Sequence, residues 1–168
     1  MTAPTAPQMP RDGEIADDKP NGSSMIDARV QTLSLKATPD AVTQTMRQVR
    51  ALLVTLHPDN AGVCMNAELV LAEILNNIVE HGYAPGALGE IEIQLSMKDN
   101  CILMRTCDGG CAMPGLSLPD PDQPDLDVDL SDLPEGGFGW FMIRALARNL
   151  SYERKADRNR ICLEIPPG

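Results

Sequence analysis

The chain is 168 residues long with 43% apolar side chains, enough for one domain with a sizeable core. Its formal net charge of −10 argues against direct nucleic-acid binding or an anionic membrane surface, since either partner needs clustered Lys and Arg. No apolar run approaches the roughly 18 residues of a membrane span, and "MTAPTAPQMPRDGE" has neither the basic start nor the apolar segment of a secretory signal, so a cytoplasmic protein is expected.

Residues 1–27 contain Pro4, Pro7, Pro10 and Pro20 with scattered charge and few large apolar groups, a composition that cannot offset ordering entropy by burial. They are read as a tail, leaving 28–168 as a single domain. "ARVQTLSLKA" alternates like a strand. "TPDAVTQTMRQVRALLVTLH" then places Val42, Met46, Val49, Leu52, Leu53 and Leu56 at helical spacing, with Thr38 as N-cap, Pro39 at the first helical position and His57-Pro58 at the end. A second helix is expected over about 64–82, closed by Gly82 and Pro85-Gly86.

Two strands follow, "IEIQLSM" and "CILMRTC", joined as a hairpin through Asp99-Asn100. Residues 109–136 hold five prolines and seven acidic side chains with no Lys or Arg, too long and irregular for an ordinary connection. "FGWFMIRALARNL" supplies a third helix, and "SYERKA" with "NRICLEI" a closing hairpin turned near Asp157 to Asn159. This order lacks regular βα alternation, so the expected class is α+β: a two-layer α/β sandwich, one mostly antiparallel sheet with helices on one face. Five cysteines at 64, 101, 107, 111 and 162 lack paired metal-site spacing and are read as reduced, small, mostly buried side chains.

The second helix carries a row that a plain core helix does not need. In "LAEILNNIVEHGY", Leu71, Ile74, Leu75, Ile78 and Val79 form one apolar arc, while Glu73, Asn77 and His81 recur at i, i+4 and i+8 along its edge. An Asn amide oxygen is a neutral hard ligand for Mg²⁺, and a Glu one turn away can orient or deprotonate an attacking hydroxyl. On this helix alone the plainer reading is preferred, a solvated face with His81 complementing the helix dipole. Two further segments shift the balance. In "CDGG", Asp108 stands where the chain leaves a strand and can accept from an exocyclic amine, while Gly110 allows close approach to a flat ring; the alternative is a simple Asp-Gly turn. "PEGGFGW" sets Gly136, Gly137 and Gly139 at a helix start, where backbone N–H groups can meet phosphates.

E-x-x-x-N-x-x-x-H on a helix, D-x-G after a strand and G-x-G after a long loop, in that order, resemble the Bergerat-fold (GHKL) ATPases. The similarity is strongest to their small single-domain branch, the anti-sigma factor serine/threonine kinases of bacterial partner switching. There the first motif typically reads "SEAxxNAxxHGY" against "AEILNNIVEHGY" here, and the end "GGxGxFLI" and "NRLxL" against "GGFGWFMI" and "NRICL". The resemblance covers about 29–165. It implies the Bergerat ATP-binding fold with ATP and Mg²⁺ as cofactors. Glu73 is then the general base or polarising carboxylate, Asn77 the Mg²⁺ ligand, and Asp108 the partner of the adenine amino group with Gly110 under the ring. Gly137, Phe138 and Gly139 border the phosphates, His81 matches the motif, and 115–136 form the ATP lid. The implied partners are a STAS-domain anti-sigma antagonist, a sigma factor and a second copy of the chain, paired through the first strand and first helix.

Three departures bear on that expectation. The lid has Glu135 where the family often places a cation, and no Lys or Arg falls between Arg105 and Arg144. "RICLEI" lacks the Thr that the superfamily often carries near the adenine, and the acidic tail has no recognised counterpart. Two functions follow as alternatives: a kinase acting on a STAS-type antagonist, or a module that sequesters its target with ATP as a conformational ligand and little turnover. A histidine kinase fits less well, because no helical hairpin with a phospho-accepting His precedes the domain.

Overall fold

A computed structural model describes residues 30–120 and 138–167 of the protein. The expected tail over 1–27, most of the expected lid and Gly137 lie outside the described residues. β1 is Gln31–Lys36, α1 Pro39–Leu56, α2 Ala61–His81, β2 Glu90–Lys98, β3 Cys101–Asp108, α3 Phe138–Leu146, β4 Arg148–Lys155 and β5 Arg158–Ile165, with a short 3-10 turn at Pro114–Leu116. The strands form one sheet in the order β1-β2-β3-β5-β4, every pair antiparallel, so the sheet is wholly rather than mostly antiparallel.

Strand alternation turns one row of side chains toward the helices. Ile91, Ile93 and Leu95 of β2, Ile102 and Met104 of β3, and Ile161, Leu163 and Ile165 of β5 are all buried there. Val42, Val49 and Leu53 of α1 and Val70, Leu71, Ile74, Leu75 and Ile78 of α2 complete the core. α2 has the length and composition of a membrane-spanning helix, an exception to the sequence expectation, yet its apolar arc packs into this core.

Local chemistry sets the ends. Thr38 caps α1, accepting from Ala41 N at 3.3 Å with Pro39 in the first turn, and His57 is the C-cap, as the sequence indicates. α2 begins three residues earlier than expected because Asn60 accepts from Val63 N at 3.0 Å and caps it there. Asp99 and Asn100 take φ of 49° and 65°, the left-handed pair of a tight two-residue hairpin turn. α3 stops at Leu146 rather than running on to Leu150, since Arg148 to Leu150 join β4. The last hairpin therefore turns at Ala156-Asp157, φ 49° and 59°, and Asn159 lies inside β5 rather than in the turn. Among the cysteines only Cys64 is buried, where burial pushes its thiol pKa up. Cys101, Cys107 and Cys162 are half-buried and Cys111 is exposed, correcting the mostly buried expectation. Cys101, Cys107 and Cys162 alternate onto the sheet face away from the helices.

Candidate functional site

A cavity of about 330 Å³ opens between the C-terminal half of α2, the end of β3, the start of β5 and α3. Ile78, Met113, Trp140 and Ile161 give it apolar walls, while Asn77, His81, Asp108 and Asn159 bring polar groups to it. Apolar walls with a few convergent polar atoms suit a flat heterocycle whose edge must be recognised. A second concavity of about 320 Å³ lies on the open sheet face beside Leu103, Arg105 and Glu164. Its polar groups are paired with one another, Arg105 Nη1 donating to Gln94 Oε1 and Asn149 Nδ2 to Glu164 Oε2, rather than aimed at a ligand.

Asp108 ends β3 on the helix-facing side and is 2% exposed. Its Oδ1 accepts from Gly110 N at 2.8 Å and from Asn159 Nδ2 at 2.9 Å, while Oδ2 takes no hydrogen bond from any described residue. A carboxylate so held is an acceptor with one oxygen free for a donor entering the cavity.

Along α2 the expected row is present, with differing environments. Asn77 Nδ2 donates to Glu73 O at 2.7 Å and reaches Glu73 Oε1 at 3.5 Å, which commits its nitrogen, while Oδ1 accepts from no described residue. Glu73 is half-buried outside the cavity lining, its carboxylate against the Cα of Gly139 in the first turn of α3, where a Cβ would overlap it. Gly139 is thus the seat of Glu73, and the carboxylate sits at the positive end of a helix. His81 borders the cavity with its side chain 75% exposed, 4.0 Å from Glu80. Phe138 is exposed and tilted against Phe141, ring centroids 6.0 Å apart, off the cavity wall.

Gly110 has a requirement within the fold itself. A Cβ there would stand 2.5 Å from the carbonyl oxygen of Gly82, so its backbone closely approaches the end of α2. Cys111 N donates to that same carbonyl at 2.7 Å, and Gly109 N to Tyr83 Oη at 3.1 Å. Tyr83 Oη in turn donates to Glu90 O at 3.3 Å, and its ring covers Gly89 so closely that a Cβ would overlap it. Burial raises the Tyr83 pKa above its ordinary value, opposed by the Gly109 N–H and reinforced by the Asp108 charge.

Sequence reading missed Asn159, Tyr152, Arg154, Tyr83, Met113 and Trp140. Of these, only Met113 fell outside the quoted segments; the strand and helix patterns absorbed the others.

The two-layer α/β sandwich, with its antiparallel sheet and helices on one face, is that of the Bergerat class. Residues 35–165 match the histidine kinase-like ATPase domain, and the chain belongs to that family. It is 33% identical over 94 residues to the serine/threonine-protein kinase BtrW of Bordetella bronchiseptica, a match covering 54% of this chain and 62% of that kinase, less than two thirds of its length. A solved histidine kinase domain, from the Erythrobacter litoralis EL346 blue-light activated histidine kinase, is similar at a TM-score of 0.43 and 18% identity, covering 78% of this chain and 64% of that one.

Proposed function

We propose that the chain is an ATP-dependent anti-sigma factor and serine/threonine protein kinase that phosphorylates a STAS-type anti-sigma antagonist. The observation that carries this reading is the Glu73, Asn77 and Gly139 cluster beside a cavity that ends at Asp108. Asp108 Oδ2 accepts the exocyclic amine of adenine, and the apolar walls hold the ring. Among the described residues no group of three or more His, Cys, Asp or Glu could hold a metal. Asn77 Oδ1 would hold Mg²⁺, an ion that needs only one or two protein oxygens beside water and substrate phosphate oxygens. Bound there, the ion would neutralise charge on the phosphates.

Glu73 orients the hydroxyl of the antagonist's Ser or Thr and takes its proton as that oxygen bonds the γ-phosphorus and the bond to the ADP oxygen breaks. The N-terminus of α3 faces anionic charge with backbone N–H groups. The edge strand β1 and helix α1 are the proposed surface for a second copy.

A second reading, sequestration of a sigma factor or other target with little turnover, is favoured by one observation. Arg144, the first cation after Arg105, donates to Pro119 O at 2.9 Å and pairs with Asp120 at 3.4 Å. Its charge is turned to the loop that follows the cavity. Incubation with radiolabelled ATP and the antagonist separates the readings, since a pure binder leaves the antagonist unlabelled. Within the kinase reading, Glu73→Gln is expected to retain ATP and lose phosphotransfer, and Asn77→Ala to lose most Mg²⁺-dependent affinity. Calorimetry showing unchanged Mg·ATP binding by Asn77→Ala would overturn the metal assignment.

A further inference from the structure

Asn159 stands directly across from Asp108 in the β3-β5 ladder and is 5% exposed. Its amide is saturated. Nδ2 donates to Asp108 Oδ1 at 2.9 Å, to Cys111 O at 2.9 Å and toward Gly110 O at 3.3 Å. Oδ1 accepts from Tyr152 Oη at 2.8 Å and from Arg154 Nη1 at 2.7 Å. The amide orientation is unambiguous, because a guanidinium only donates and carbonyls only accept.

The same two side chains fasten the loop behind the cavity. Tyr152 Oη accepts from Met113 N at 3.1 Å, and Arg154 Nη1 donates to Gly110 O at 2.9 Å. Asp108 therefore has one oxygen locked by Gly110 N and Asn159, and its side chain can present only the other to a ligand. Resting on the nucleotide-site reading above, we propose that Asn159, held by Tyr152 and Arg154, is the positioning residue that makes this site selective for 6-amino over 6-oxo purine nucleotides. It does not act on the base itself, having no free hydrogen-bonding group. It fixes Asp108 as an acceptor, which an adenine amino group satisfies and which the O6 of hypoxanthine or guanine opposes with a second acceptor.

Calorimetric titration with Mg·ADP and Mg·IDP, which differ in the base at C6 and N1, tests the assignment without phosphotransfer. The wild-type protein should bind ADP about ten- to a hundredfold more tightly than IDP, the range set by leaving a buried polar group mismatched. Asn159→Ala should bring that ratio down about tenfold, mainly through weaker ADP binding. Asn159→Asp keeps the volume and the acceptors for Tyr152 and Arg154 but sets a second carboxylate against Asp108. Its preference for ADP should be lost at pH 8 and recover as the pH falls, when a proton shared by the two carboxyls restores a donor. Tyr152→Phe should lower the ratio less than either, and it keeps the test open should a change at 159 prevent folding. Tight binding of both nucleotides by the wild-type protein with equal affinity overturns the selectivity inference while the nucleotide site stands. Variants at 159 that keep the wild-type ratio at every pH overturn the role of Asn159, and binding of neither nucleotide by the wild-type protein overturns the site reading and this inference together.

Discussion

Gly110 and Gly139 look alike in the sequence, each a glycine beside a site, but they stand against different kinds of neighbour. At Gly110 a Cβ meets the backbone carbonyl of Gly82, which can move only with the end of α2. At Gly139 it meets the carboxylate end of Glu73, a side chain that can swing aside. Gly110→Ala is therefore expected to cost about 1–3 kcal/mol of stability. Gly139→Ala should leave stability within about 1 kcal/mol of wild type, the helix propensity of Ala offsetting part of the crowding, yet displace Glu73 from the start of α3. Chemical denaturation with a parallel assay of ATP turnover checks both, and equal destabilisation by the two changes would contradict the contrast. Tyr83 makes a prediction about pH. Its folded pKa is raised, so the stability it contributes is fully present below the ordinary tyrosine value near 10 and is lost as pH rises through the folded value. Tyr83→Phe should be less stable than wild type at pH 8, through loss of the bonds to Gly109 and Glu90, and the gap should narrow at alkaline pH.

The β4-β5 hairpin is the element on which the site most depends, because Tyr152, Arg154 and Asn159 all project from it. Its turn is built from Ala156 and Asp157, both left-handed, and Ala carries a steric penalty there that Gly does not. Ala156→Gly should stabilise the protein by about 1 kcal/mol, raising Tm by roughly 2–4 °C for a chain of this size. A scan showing a lower Tm would mean that the turn is not left-handed in solution. The neighbouring hairpin needs no such repair, since Asn at position 100 tolerates the left-handed region.

At the scale of the whole molecule, β1 and β4 are the edges of the sheet among the described residues, and the helical layer leaves Val54, Met65 and Leu69 exposed. An unpaired edge strand is a template for pairing with another chain. Sedimentation equilibrium at micromolar concentration is expected to give twice the 18.2 kDa of one chain, and Ser34→Pro in β1 should lower that mass toward one chain, because Ala37 N donates to Gly89 O and the alternate residue 34 turns its N–H to the open edge. A single-chain mass for the wild-type protein, with and without nucleotide, would rule out the dimer. The net charge of −10 works against ATP approach at long range, an effect that salt screens within about 8 Å at physiological strength.

Periodicity made most of this fold legible. The 3.6-residue spacing of Val42, Val49 and Leu53 and of Leu71, Ile74, Leu75 and Ile78 marks two core helices, and the alternation from Ile91 to Leu95 marks a half-buried strand, because burial of one face is written into neighbouring residues. The row of Glu73, Asn77 and His81, with Asp108 and the glycines, was legible as residue types suited to nucleotide chemistry. Other features were decided only by the tertiary structure. Asn159 lies 51 residues from Asp108, and nothing in "NRICLEI" shows that its amide closes on that carboxylate. Gly110 answers to the carbonyl of Gly82, and Gly139 to the carboxylate of Glu73. Spacing along a chain records which face of an element is buried, whereas hydrogen bonds and close contacts between elements depend on strand register and helix placement, which form only when the whole sheet and its helices pack together.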